Sequence, residues 1–166
     1  MPLNESLIAE LQHEAANTRK MLERVPEKSF SWKPHDKSMS LGEITNHLAE
    51  IPHWVGVSIE QDELDFAGSD YKPRTPTTTE DLLKFFDTNI EKALESLKNA
   101  SDEKLFENWT MRNGEQVYFT MPKIAVVRSF VMNHSVHHRG QLSIYLRLLD
   151  VPLPSIYGPT ADESNM

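Results

Sequence analysis

In four long stretches of this chain, apolar residues recur at three- and four-residue intervals, the spacing that gathers them on one side of an α-helix. The first runs from about Asn4 to Arg24, with Leu7, Leu11, Ala15, Thr18 and Leu22 on one stripe and Pro26 beyond its end. A polar link, "PEKSFSWKPHDKSM", carries two prolines and no consistent period. The second helix is announced by Ser40 and Glu43, a capping box, with Met39 and Ile44 placed as its hydrophobic staple. Its inner stripe reads Leu41, Ile44, Leu48, Ile51, Val55 and Ile59. Pro52 falls inside that run and is expected to kink it or force a local defect.

The loop "GSDYKPRTPTT" is long enough to cross the end of a bundle, and Thr77 with Glu80 spells a second capping box. A third helix then presents Leu82, Phe86, Ile90, Ala93 and Leu97 inward. "LFENWTMRNGEQVYFTM" breaks the helical pattern. Its Asn113-Gly114 pair signals a two-residue type I′ hairpin, which would set Arg112 opposite Glu115 and Trp109 opposite Tyr118. The fourth helix is expected from near Thr120 and Pro122 to about Leu149, ended by Asp150 and Pro152, before a proline-rich extended tail. The pattern therefore predicts an all-α protein: a four-helix bundle in one domain, 1–166, with a small β-hairpin before the last helix.

Composition narrows the function classes. With 39% hydrophobic and 25% charged residues in 166, the chain suits a folded soluble domain. Its net charge of −8, with no Lys/Arg run, argues against nucleic acid as partner. No apolar stretch approaches a membrane span and no signal peptide is read at the N-terminus, so a cytoplasmic protein is expected. Cysteine is absent, which removes disulfides, thiolate ligands and cysteine nucleophiles.

The chemistry concentrates in "NHSVHHRGQL", where three of the seven histidines fall within five positions. Successive helical residues turn by about 100°, so neighbours reveal which ring faces inward. Val127, Val131, Leu142, Tyr145 and Leu149 share the stripe of His134 and His138, which therefore project into the bundle. His137 lies on a mixed flank with Asn133 and Gln141. An i, i+4 histidine pair can chelate one cation, and burying both rings without a shared partner would leave several ring nitrogens to satisfy. The bland alternative is a pair of core histidines bonded to polar neighbours. A third ligand must come from another helix, and His47, between Ile44 and Ile51, is the best placed. His53 and His13 share faces with polar residues, and His35 sits in the linker. Two Glu-x-x-His pairs, Glu10/His13 and Glu50/His53, suggest a di-iron site, but the fourth helix offers no carboxylate to complete it. A zinc-protease motif fails because Ser135, not Glu, follows His134.

With His47, "HSVHHRGQL" and the ending "YGPTADE" identified, the chain resembles the DinB/YfiT-like superfamily of metal-dependent enzymes over nearly its whole length. "SWKPHDKSMSLGEITNHLAEIPHW" is similar to that family's second-helix signature, with His47 at the first ligand position. "HSVHHRGQLSIYLRLL" is similar to its fourth-helix signature, whose first and last histidines, here His134 and His138, bind metal. The resemblance implies an up-down-down-up bundle, one divalent ion held by three histidines, and often a homodimer. It also implies either hydrolysis of a small molecule or transfer to a low-molecular-weight thiol of the bacillithiol, mycothiol or glutathione type.

Three neutral imidazoles leave a cation with an open position, the catalytic rather than the structural arrangement. Zinc and nickel suit such ligands best. The open position would serve a water in hydrolysis or an external thiol in S-transfer. A third reading is a non-enzymatic bundle that binds metal or a partner. Glu43, Arg139 and Gln141 are candidates to support the ligands, with the capping box a sufficient role for Glu43 and an ion pair a sufficient one for Arg139. Tyr145 and Trp54 are either pocket walls or core.

Overall fold

A computed structural model describes residues 2–68 and 71–164. Two positions of the predicted crossover loop, Ser69 and Asp70, and the last two of the tail lie outside that range. Helix α1 covers Leu3–Leu22, and its predicted stripe is inward: Leu7 and Leu11 are 4% exposed and Leu22 fully covered. A short 3-10 turn at Glu27–Ser29 leads through the linker to α2, Leu41–Glu50. The capping box is formed as expected, Ser40 Oγ accepting from the Glu43 amide while Glu43 Oε2 accepts from the Ser40 amide at 2.6 Å. Pro52 ends α2 and opens α3, His53–Glu60. The proline has no N–H to give the preceding turn. The break is nonetheless tight, since Ile51 and Pro52 keep right-handed helical angles and the whole stripe from Leu41 to Ile59 remains buried.

Helix α4 covers Thr79–Lys98. Its cap differs by one residue from the predicted one: Thr78, not Thr77, accepts from the Asp81 amide, and Asp81 rather than Glu80 reaches back to Thr77. A five-residue α5, Asp102–Phe106, precedes the sheet. The hairpin of β2, Asn108–Asn113, and β3, Gln116–Pro122, is present, but its register is corrected. Asn113 pairs with Gln116, so Gly114 and Glu115 form the turn, and a bulge beyond Met111/Arg112 leaves Trp109 opposite Met121 and Arg112 opposite Val117. Gly114 alone in the turn has positive φ, +60°. A type I′ turn requires that of both central residues, so glycine in first place fits type II′.

The all-α expectation is also corrected. β1, Glu63–Asp65, joins β2 in parallel and makes a three-stranded mixed sheet in the order β1-β2-β3. The last helix is one continuous run in three windings: α6, Lys123–Val126; a π-helical stretch, Val127–Met132; and α7, Asn133–Leu148. Long helices meet in a cycle, α1 on α4, α4 on α2, α2 on α7 and α7 on α1, with α3 against α4. The main core lies between them, and a second small core of Trp109, Met111 and Val126 joins the sheet to the last helix. Lys123, fully buried, ties these parts together. Its ammonium donates to the carbonyls of Ile59 and Gln61 at the end of α3 and to Asp62 Oδ1 at 3.0 Å. Among the described residues no helix is long and apolar enough to cross a membrane.

Candidate metal centre

The three rings chosen from helical phase meet. His47 comes from α2, His134 and His138 from successive turns of α7, and their ligand atoms all lie within 4.8 Å of one another. His134 Nε2 stands 2.8 Å from His138 Nε2 and 3.3 Å from His47 Nε2. Nitrogens sharing one tetrahedral ion at about 2.05 Å stand roughly 3.3 Å apart, so the spacing suits a common cation.

The protons make the stronger argument. His134 Nδ1 faces the carbonyl oxygen of Phe130 at 3.2 Å, and His138 Nδ1 faces Gln141 Oε1 at 2.8 Å. Oxygen of either kind only accepts here, so each Nδ1 carries the ring's proton and each Nε2 presents a bare lone pair. Two lone pairs at 2.8 Å repel unless a cation lies between them. A proton is a poor candidate, because all three rings are held below the ordinary histidine pKa. For His47 the cause is burial first and the neighbouring His138 second, with Glu50 opposing; for His134 it is burial, then His47. For His138 burial again leads, partly offset by the Gln141 hydrogen bond. The site is thus neutral and ready to accept a divalent ion, which suits the donor set.

Around the triad an aromatic path runs back to the sheet. Phe130 lies 5.7 Å from the His134 ring, 6.4 Å from Trp54 and 6.0 Å from Phe119, which in turn contacts Trp109. These rings wall one side of the site with apolar surface. On the other side a cleft of 580 Å³ opens between α2 and the 71–75 segment, bounded by His47, Asn46, Glu50, Trp54, Tyr71 and Pro73. A larger cleft, 830 Å³, runs between α3 and α4, but no ligand histidine lines it.

Other predicted residues divide. Gln141 holds the His138 ring, as a supporting residue should. Glu43 is spent on the helix cap and on Lys33 at 3.5 Å, although it borders the 580 Å³ cleft. Arg139 turns away from the histidines. It is 3% exposed, donates to Glu14 Oε2 at 2.5 Å, to Thr18 and to Tyr157, and its guanidinium stacks over the Tyr157 ring. It anchors the tail to α1 and is not available to a substrate anion. Tyr145 is core, with its hydroxyl on the Met39 carbonyl. The exposed His137 ring meets His138 edge-on at 5.0 Å, while His13 bonds Asn17 and His53 meets Trp54 edge-on.

Sequence reasoning weighed Glu50 only as a di-iron partner of His53 and passed over Tyr71. Glu50 stands one turn after His47, a spacing that could have flagged it, and its Oε2 accepts from the Tyr71 hydroxyl at 2.5 Å. Burial and that carboxylate push the Tyr71 pKa up to about 12. Nothing in the polar loop pattern around Tyr71 could have placed it there.

Comparisons with known proteins bear on the fold and the family. Two Bacillus subtilis (strain 168) proteins, the uncharacterised YrdA and YjoA, are similar to the chain. YrdA is 23% identical over 152 residues, 92% of this chain and 86% of its own length; YjoA is 25% identical over 132 residues, 78% and 80%. A crystal structure of a DinB-like protein from Bacillus cereus ATCC 10987 superposes with a TM-score of 0.71 at 22% identity, covering 92% of this chain and 97% of that one. The crystal structure of YjoA, also described as DinB-like, gives 0.70 at 21% identity, covering 97% and 99%. These likenesses establish the shared fold. The sequence model of the DinB family matches residues 1–165, and the chain belongs to that family.

Proposed function

We propose that the chain is a metal-dependent hydrolase of a small molecule, working through one divalent ion on His47, His134 and His138. The observation that carries this is the pair of Nε2 atoms 2.8 Å apart, each ring's Nδ1 facing an oxygen acceptor, with the His47 Nε2 beside them. Zinc or nickel suits three neutral imidazoles. A bound ion would polarise a carbonyl oxygen and lower the pKa of a water or thiol at its open position. The chain's own residues supply the rest. Phe130 and Gln141 hold the ligand-ring protons away from the reacting side, Trp54 and Phe130 exclude bulk water, and the Glu50 carboxylate beside His47 is a proton acceptor whose partner is Tyr71.

The test is ion content and turnover. Untagged protein is expected to carry about one ion per chain, and His134→Ala to lower that content well below one and abolish hydrolysis of small esters and amides. Equal ion content in parent and variant would defeat the proposal. The S-transferase reading keeps a specific support: Glu50 would have to be freed from the Tyr71 hydroxyl before taking a proton from water, whereas a metal-ionised thiol needs no such base. Turnover only in the presence of bacillithiol, mycothiol or glutathione would select it.

The cycle of helix contacts supports a bundle in up-down-down-up order, with the crossover between α3 and α4. A homodimer is supported by the apolar residues left on the outer face of α7, Ile144 at 59% and Leu148 at 58% exposure. A monomer by sedimentation at micromolar concentration would remove that reading.

A further inference from the structure

Most buried polar side chains in this protein have partners, and the exceptions are informative. Among the described residues, five buried side-chain atoms lack a hydrogen bond, and two of them, Asn46 Oδ1 and Arg74 Nη1, belong to residues that line the 580 Å³ cleft beside His47. Asn46 is the more telling. It is 2% exposed, sits immediately before the ligand His47 on α2, and has no role in capping or in joining helices. Asn89, buried on α4, shows what a structural asparagine does here: it donates to the Ala49 carbonyl of α2 at 2.9 Å. Leaving an amide unpaired costs stability, so a residue of this kind points to a ligand that completes it.

Charge and shape restrict that ligand. Met39, Trp54 and Pro73 give the cleft an apolar wall. Glu43 and Glu50 place carboxylates on it, whereas the Arg74 charge is already matched by Asp81 and its guanidinium stacks on Phe85 at 4.7 Å. An anion is therefore disfavoured. Of the two orphaned atoms on this lining, Asn46 Oδ1 is an acceptor that calls for a ligand N–H, and Arg74 Nη1 is a donor that calls for a ligand C=O. We propose that this cleft binds a small uncharged molecule with an apolar body and a carboxamide-type edge, and that Asn46 recognises that edge. The inference rests on the metal-centre reading only in placing such a molecule as the substrate; the binding itself does not require the ion.

Phenylacetamide is the probe and toluene, the same ring without the amide, its control. Both are titrated by NMR into EDTA-dialysed and zinc-loaded protein. Phenylacetamide is expected to shift the side-chain amide signals of Asn46 and toluene to leave them in place. Asn46→Leu, close to isosteric, is expected to weaken phenylacetamide about tenfold or more and to leave toluene affinity within twofold. Its Tm should stay level or rise, because an unsatisfied amide is replaced by an apolar group. Asn46→Ala and the signals of the unmutated protein decide the matter if the leucine packs poorly. Unshifted Asn46 signals, or equal phenylacetamide affinity in parent and variants, would overturn the inference. Loss of Tm with affinity retained would make Asn46 structural and overturn it too. Low ion content with Asn46-dependent binding intact would sink the metal reading alone; one ion per chain with Asn46-independent binding would sink this one alone.

Discussion

His138 can offer its Nε2 lone pair only while its other nitrogen keeps the proton, and Gln141 is what keeps it there. Gln141 is exposed, so Gln141→Leu should leave the fold intact while releasing the ring to its other tautomer and orientation. Zinc affinity is expected to fall about 10- to 100-fold, read by competition with a chromophoric chelator. Unchanged affinity would show that the ring is fixed by packing alone. At this scale the sequence was legible where helical phase decides. The apolar neighbours of His134 and His138 at three- and four-residue intervals placed both rings inward, and the same test put His47 on the edge of its stripe. Phase failed for contacts that are distant in sequence. Arg139 adjoins the last ligand but is turned about 100° from it, towards Glu14 on α1, a partner 125 positions earlier that no local pattern reveals.

Elements were legible to the extent that their signals are local. The Ser40/Glu43 box, the stop at Pro26 and the break at Pro52 all follow from backbone hydrogen bonds that those residues make or cannot make. The hairpin was found, but its turn lies one residue later, because Asn-Gly satisfies more than one turn; that moves the partner of Arg112 by two positions, and the bulge after Met111 widens the offset to three at Trp109. The strand at Glu63–Asp65 was missed altogether: three residues pairing with β2 some 47 positions away leave no period to detect. What holds that strand's approach in place is the buried Lys123 ammonium on the end of α3. Lys123→Met removes it and leaves the Ile59 and Gln61 carbonyls unpaired. We expect a loss of about 2–4 kcal/mol in urea unfolding, with the metal site of the folded protein unchanged. A loss below 0.5 kcal/mol would show that those carbonyls are readily hydrated.

For the whole molecule, acid is the revealing variable. The three ligand rings are held neutral below their ordinary pKa of about 6.5. As pH falls through 6.5 the unfolded chain takes up protons that the folded chain refuses, so stability is complete above that value and declines below it. Carboxylates held low in the fold, such as Glu14 and Asp162, add their own loss only at lower pH, separating the two windows. The urea midpoint of EDTA-dialysed protein should therefore fall between pH 6.5 and 5, and less steeply in His134→Phe. Identical slopes would mean that the rings titrate freely. The largely helical character of the chain was legible because its long apolar stripes need covering, and its family because the second and fourth carry signatures that resemble it.

The π-helical stretch Val127–Met132 has a consequence for how this chain can change. There the Asn133 amide reaches back to Arg128, five residues rather than four, so one extra residue is stored between the sheet-bound α6 and the histidine-bearing α7. Removing a single position from 127–132 would restore ordinary winding and leave α7 in nearly the same phase, because six residues in the wider turn rotate about as far as five in the ordinary one. Such a deletion is expected to keep both its far-UV helical signal and its zinc, and loss of zinc would show that the stored residue is needed where it stands. That stretch is where the chain holds one residue of slack.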